Sequence, residues 1–189
     1  MKHRDKTRRE RYDEKKKDAK TYPISVATVN FLHDGNVGFL IRAAACFGAQ
    51  RVHVIGSIPH PKTLKALSGT LNDYVQIEQH SNPQRFLEYA REQEYNLVCA
   101  ELTDEATPLP DYTFDFNKPV CIVVGHEQTG IPADLIRHGD SVFIPMSGVG
   151  HCLNTSQTAN VMLYEATKRF DAQNKFLEEW VNECYIHYP

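Results

Sequence analysis

Three segments of this chain pair glycines with polar side chains at spacings that could build one site. In the first, "HDGNVGFLIR", Asp34-Gly35 signals a turn and Asn36 suits the cap of a helix. Val37, Leu40, Ile41 and Ala44 follow at helical spacing, and Arg42 falls off that apolar stripe. Gly38, in the first turn, is a poor helix former, which close approach of another segment would explain. The second segment, "VVGHEQTGIP", runs strand, glycine, polar turn, glycine, proline. Gly125 lets a backbone or ligand come close, and Glu127 stands at the strand's mouth, where it could hold the Arg42 guanidinium in a bidentate pair.

In the third segment, "IPMSGVGHCLNTSQTANVMLYEA", a strand stops at Pro145 and a helix starts near Asn154, which with Gln157 resembles a capping box. Between them, Met146–Leu153 offers free backbone N–H and C=O groups that suit an uncharged planar ligand such as an adenine ring. Its "GVG" is not a dinucleotide fingerprint, because the third glycine would fall on Leu153, and the Lys-Ser/Thr pair of a phosphate loop is missing. A nucleotide-binding oxidoreductase is therefore disfavoured. Taken singly, each segment also reads blandly: an amphipathic helix with a solvated arginine, a solvated carboxylate, a capped helix after a loop.

The elements that must position these loops alternate. Strand-like runs cover Ile24–Phe31, Arg51–Ile55, Asp73–Glu78, Asn96–Glu101, Pro119–Val124 and Ser141–Ile144. Helical patterns cover Asn36–Phe47, Pro83–Gln93, Pro132–His138 and one or two long helices from Asn154 to about Ile186. Runs such as "PVCIVV" are apolar on both faces, as in a buried parallel sheet. The expectation is an α/β domain, mainly parallel, with helices on both faces of the sheet. Ligands in such sheets bind beyond the carboxyl ends of the strands, where all three segments fall. The stretch 103–119, rich in Pro and Asp, reads as a surface connection.

With 189 residues the chain is most simply one domain, 22–170, between a basic extension, 1–21, and a helical one, 171–189. Its net charge of −3 conceals an asymmetry: residues 1–20 hold 10 Lys+Arg against 5 Asp+Glu. Such a tail, with Arg8, Arg9 and Arg11, either neutralises nucleic-acid phosphates or is a frayed, solvated helix. The five cysteines form no CxxC pair and the nine histidines no HxxxH, so free thiols and no structural metal are expected. No apolar run has the length of a membrane span and no signal peptide is visible, which points to the cytoplasm.

Together, "NVGFLIRAAACFGAQRVHVIG", "PVCIVVGHEQTGIP" and "VFIPMSGVGHCLNTSQTANVMLYEA" resemble motifs 1, 2 and 3 of the SPOUT superfamily, in its SpoU/TrmH branch of RNA ribose 2′-O-methyltransferases. The resemblance runs in order from about Ile24 to Thr167. It implies a C-terminal trefoil knot, a homodimer and S-adenosylmethionine as cofactor, with no metal. By position, Arg42, Asn36, Glu127 and Asn154 correspond to the catalytic residues, and Gly125, Ile144, Met146 and Leu153 to backbone lining the cofactor pocket. Cys152 stands where the family usually has serine, beside substrate, and reads here as a packing residue. The resemblance further implies RNA as partner, tRNA before rRNA because the extensions are short, with Arg8, Arg9 and Arg11 as an RNA-contacting arm. Alternatives are the same reaction on rRNA, or a non-catalytic RNA binder of this fold. Trp180 and Tyr185 could stack on bases, although Phe176, Leu177, Trp180 and Tyr185 read better as packing residues of the last helix.

Overall fold

The computed structural model describes residues 6–29 and 31–186, with side chains up to Lys175. Seven strands form one sheet in the order β3-β2-β1-β6-β4-β7-β5, and every ladder in it is parallel. They are β1 Tyr22–Val29, β2 Ala49–Ile55, β3 Gln76–His80, β4 Asn96–Ala100, β5 Thr107–Pro108, β6 Val120–Val124 and β7 Asp140–Phe143. The central strand β6, "VCIVV", is buried throughout because both faces are covered, which is why it carries no polar alternation.

On one face pack α2 (Asp34–Phe47), α3 (Pro61–Leu67) and α6 (Thr155–Ile186). Their Leu40, Ile41, Met162 and Leu163 meet Val26, Val54 and Ile122 of the sheet. On the other face α4 (Pro83–Glu92) and α5 (Ala133–Ile136) bring Phe86, Leu87 and Leu135 against Ala27, Ile55 and Val123. The two-faced parallel arrangement read from the sequence is therefore the observed one. Parallel pairing brings the carboxyl ends of β1, β6, β4 and β7 together at one edge, and the loops beyond them meet there.

Gly38 sits where the sequence required closeness: a Cβ there would run into Leu67 of α3. Several boundaries differ from the expectation. Leu71–Asp73 is a 3-10 turn, so the strand expected at 73–78 begins at Gln76. The helix expected over 132–138 is the single turn α5. Stretch 103–119 is more than a surface connection, since β5 pairs with β7 while Leu109 and Phe114 are buried. The last element is one helix, α6, not two. The expectations for Phe176, Leu177, Trp180 and Tyr185 concern side chains outside the described residues.

Over its described residues the basic tail is helical and touches the body. Thr7 and Glu10 form a capping box that starts α1 (Arg8–Lys16), a local signal strong enough to set its first turn. Tyr12 then packs edge-on against Tyr74 at 5.6 Å, and the Tyr74 hydroxyl donates to Asp13 at 2.7 Å. These contacts dock the arm on the body beside α3.

Candidate active site

Glu127, just past β6, is the hub at the sheet's carboxyl edge. Its carboxylate accepts from the backbone N–H of Leu32 at 2.7 Å, from that of His33 at 3.3 Å, and from Asn36 Nδ2. Burial alone would raise its pKa, but the amide and Asn36 hydrogen bonds outweigh that and hold it below the usual carboxylate range. Asn36 Oδ1 in turn accepts from Asn154 Nδ2 at 3.0 Å. Asn154 Oδ1 accepts from the N–H of Ser156 at 2.9 Å, which caps α6, and Thr155 Oγ1 donates to the Gly125 carbonyl at 3.2 Å. One hydrogen-bonded line thus joins Glu127, Asn36 and Asn154, one residue from each segment singled out above.

Two local expectations are corrected. Asn36 is not the cap of α2: His33 holds that position, and Asn36 lies in the first turn with its amide spent on Glu127 and Asn154. Asn154 caps through Ser156 rather than Gln157. The expected Arg42–Glu127 pair is also absent among the described residues: the Glu127 oxygens face the Leu32 and His33 amides and Asn36 Nδ2. Arg42 instead emerges from α2 exposed, with Nη1 near Gly69, and Arg8 Nη1 of the arm reaches the same glycine. The two guanidinium groups therefore share one patch of surface.

Beyond β4, β6 and β7 lies a cavity of about 400 Å³, inside the range of small-molecule sites. Gly125, Ile144, Met146 and Leu153 all line it, as do Cys152 and Asn154. Asn154 therefore belongs both to the cavity wall and to the line of side chains leading to Glu127. The loop from Met146 to Leu153 carries no regular structure, and Val149 at its tip is 95% exposed. Among the described residues no Lys or Arg lines the cavity.

A second cleft, of about 460 Å³, opens between the arm and the body, lined by Arg8, Arg9, Lys65, Thr70 and Tyr74. Arg11 is not in its wall. The sequence reading passed over two groups. Glu101 lines the first cavity, and its signal was legible as a carboxylate at the carboxyl end of a strand. His53, Glu78 and His80 lie on the neighbouring strands β2 and β3, with ligand-type atoms within 4.8 Å of one another. Arg51 approaches that group, with Nε 3.8 Å from Glu78, and His53 Nδ1 lies 3.0 Å from His80 Nε2.

Residues 23–164 match the SpoU rRNA Methylase family. A tRNA (guanosine(18)-2'-O)-methyltransferase of Escherichia coli (strain K12) is 28% identical over 145 residues, covering 76% of this chain and 62% of that protein. The chain thus spans about six-tenths of the length of this curated relative. An AdoMet-bound rRNA methyltransferase from Sinorhizobium meliloti superposes with a TM-score of 0.72 at 24% identity, over 82% of this chain and 60% of that one. The A. aeolicus TrmH/SpoU tRNA modifying enzyme superposes with the same score at 20% identity, over 93% of this chain and 96% of its own.

Proposed function

Because the chain belongs to the SpoU rRNA methylase family, we propose that it transfers a methyl group from S-adenosylmethionine to a ribose 2′-hydroxyl of RNA, and that the RNA is tRNA. The observation that carries this reading is the Glu127–Asn36–Asn154 line, which ties the floor of the cavity to the helix that presents Arg42. The cavity fits the cofactor in kind: its size suits a small molecule, and its wall offers backbone groups from an irregular loop with no competing lysine or arginine. Gly125, Ile144, Met146 and Leu153 would hold it, and when bound it supplies an electrophilic sulfonium methyl.

The chain's own part is positioning. A guanidinium stays protonated, so Arg42 acts as a planar fork that orients an RNA phosphate and the attacking hydroxyl, not as the base. Glu127 fixes the entry to α2 by holding the Leu32 and His33 amides, and Asn36 and Asn154 lock that entry to α6. Alignment of this kind accounts for much of the rate in displacement reactions. Cys152 sits in the cavity wall, where its small size rather than a thiolate is used.

The arm supports RNA as substrate. Arg8 and Arg9 line the basic cleft, and Arg8 meets Arg42 at Gly69, so a backbone phosphate could pass from one to the other. We assign residues 1–21 to RNA contact, 22–170 to the methyltransferase domain with its trefoil knot, and 171–189 to a helical extension. Helices α2 and α6 leave Phe39, Val161 and Tyr164 exposed, which supports a homodimer through those helices. Among the described residues no helix is long and apolar enough to cross a membrane, and we place the protein in the cytoplasm.

The test supplies methyl-labelled S-adenosylmethionine with separated tRNA and rRNA lacking the modification, followed by alkaline hydrolysis. Label in alkali-resistant dinucleotides from tRNA is the expected result. Label from rRNA instead moves the substrate, and cofactor binding without transfer to either favours the RNA binder.

A further inference from the structure

Glu101 is a half-buried carboxylate in the cavity wall with no cationic partner among the described residues. It sits at the carboxyl end of β4, where its N–H donates to the Val142 carbonyl of β7 at 3.1 Å. Its place is fixed by three features. Ile131 N–H donates to Oε2 at 3.0 Å, and Leu102 N–H donates to Oε1 at 3.3 Å. Gly130, at φ +66°, leaves the space that Oε2 fills, and a Cβ there would overlap it. Two amide donors do not exhaust a carboxylate, which accepts about four hydrogen bonds. The unused acceptors face a cavity without lysine or arginine, so a partner of matching chemistry has to bring its own donors.

Resting on the methyltransferase reading above, we infer that Glu101 binds the ribose vicinal diol of S-adenosylmethionine. A carboxylate presents two adjacent acceptors to two adjacent hydroxyls. Placement decides between the diol and the cofactor's ammonium group. Glu101 adjoins β7, whose exit is the Ile144–Leu153 loop that suits the adenine ring, and the ribose is bonded directly to that ring. The reacting end belongs on the other side of β6, where Glu127 and Asn36 stand. An adenine in the loop therefore presents its own ribose, rather than the amino-acid end, to β4.

The test is calorimetric binding of S-adenosylmethionine, S-adenosylhomocysteine and 5′-methylthioadenosine to wild type and Glu101→Gln, with no RNA present. Methylthioadenosine keeps the diol and lacks the ammonium. The glutamine retains an oxygen for the Ile131 N–H, and an unchanged thermal midpoint confirms that the wall is intact. The expected result is a loss of roughly tenfold or more for all three ligands alike. Loss confined to the two ligands that carry an ammonium group overturns the inference and moves the carboxylate to that group. Unchanged affinity for all three overturns it as well, leaving Glu101 a brace for Ile131. A wild type that binds none of them refutes the methyltransferase reading itself.

Discussion

Asn154 Nδ2 donates to Asn36 Oδ1 at 3.0 Å across 118 residues of chain, so a single amide–amide bond locks the start of α6 to the start of α2. Glu127 lies at the far side of Asn36 and fixes the same turn from the sheet. The catalytic apparatus proposed here is therefore a brace for a helix, and the arginine is the part presented.

Glu127→Gln weakens that brace. Amide donors to a neutral oxygen are worth less than to a carboxylate, and we expect about 1–2 kcal/mol lower stability at pH 7. The pKa of Glu127 is depressed in the fold, so its contribution is present above the ordinary value of 4.5 and is lost as pH falls through and below it. Denaturant unfolding carried from pH 7 to pH 3 should show a steeper fall below pH 4.5 in wild type than in the variant.

Arg42→Ala should abolish methyl transfer while S-adenosylmethionine affinity stays within about twofold, because Arg42 does not line the cavity. Arg42→Lys should restore little, since a point charge lacks the planar fork. Loss of cofactor binding in either variant would contradict the assigned role.

Gly38→Ala reverses the usual sign of a helix substitution. In an open helix the change gains roughly 1 kcal/mol. Here the added methyl meets Leu67 of α3, and overpacking of this kind costs about 1–3 kcal/mol. Thermal unfolding decides, and a raised midpoint would show that α3 yields.

Acid should unfold the protein through the β2–β3 edge. Burial, with His80 and Arg51 adding to it, pushes His53 down to about 3, and burial lowers His80. The unfolded chain binds protons at these positions from about pH 6.5 downward while the fold refuses them, so stability falls as pH drops through that window. For His53 the slope is about 1.4 kcal/mol per pH unit. Urea unfolding at pH 7.5 and pH 5.5 should show a shallower fall in His53→Leu.

Arg8→Ala and Arg9→Ala should each reduce the salt dependence of RNA binding by about one phosphate contact and weaken all sequences alike. An unchanged slope in filter binding would remove the arm from the RNA interface.

The sequence made the sheet legible because burial on both faces leaves an unbroken apolar run such as Val120–Val124. It marked Gly38 for the same reason, since a glycine early in a helix is costly without a neighbour. It misread Asn36 because a capping residue and a residue in the first turn look alike until the partner arrives from 91 positions away. The Arg42–Glu127 pair failed on direction: backbone amides do not show in side-chain patterns, and they hold Glu127 at the entry to α2 while Arg42 leaves that helix toward Gly69. Strand β5 is two residues long and leaves no periodicity to find. The expectations of a knot and of the methyl donor rest on resemblance alone, because neither has a compositional trace.

The turn from His126 to Ile131 is buckled at both ends. Glu127 grips the two amides that precede α2, and the Ile131 amide is gripped by Glu101 just past β4. Across the turn, His126 and Gly130 pair backbone to backbone in an antiparallel bridge at 3.0 Å. A strap fastened this way has no slack. One residue inserted between Gln128 and Thr129 would slide one carboxylate off its amides for the other to stay, so at Gln128 and Thr129 this turn should tolerate a change of side chain but not of length.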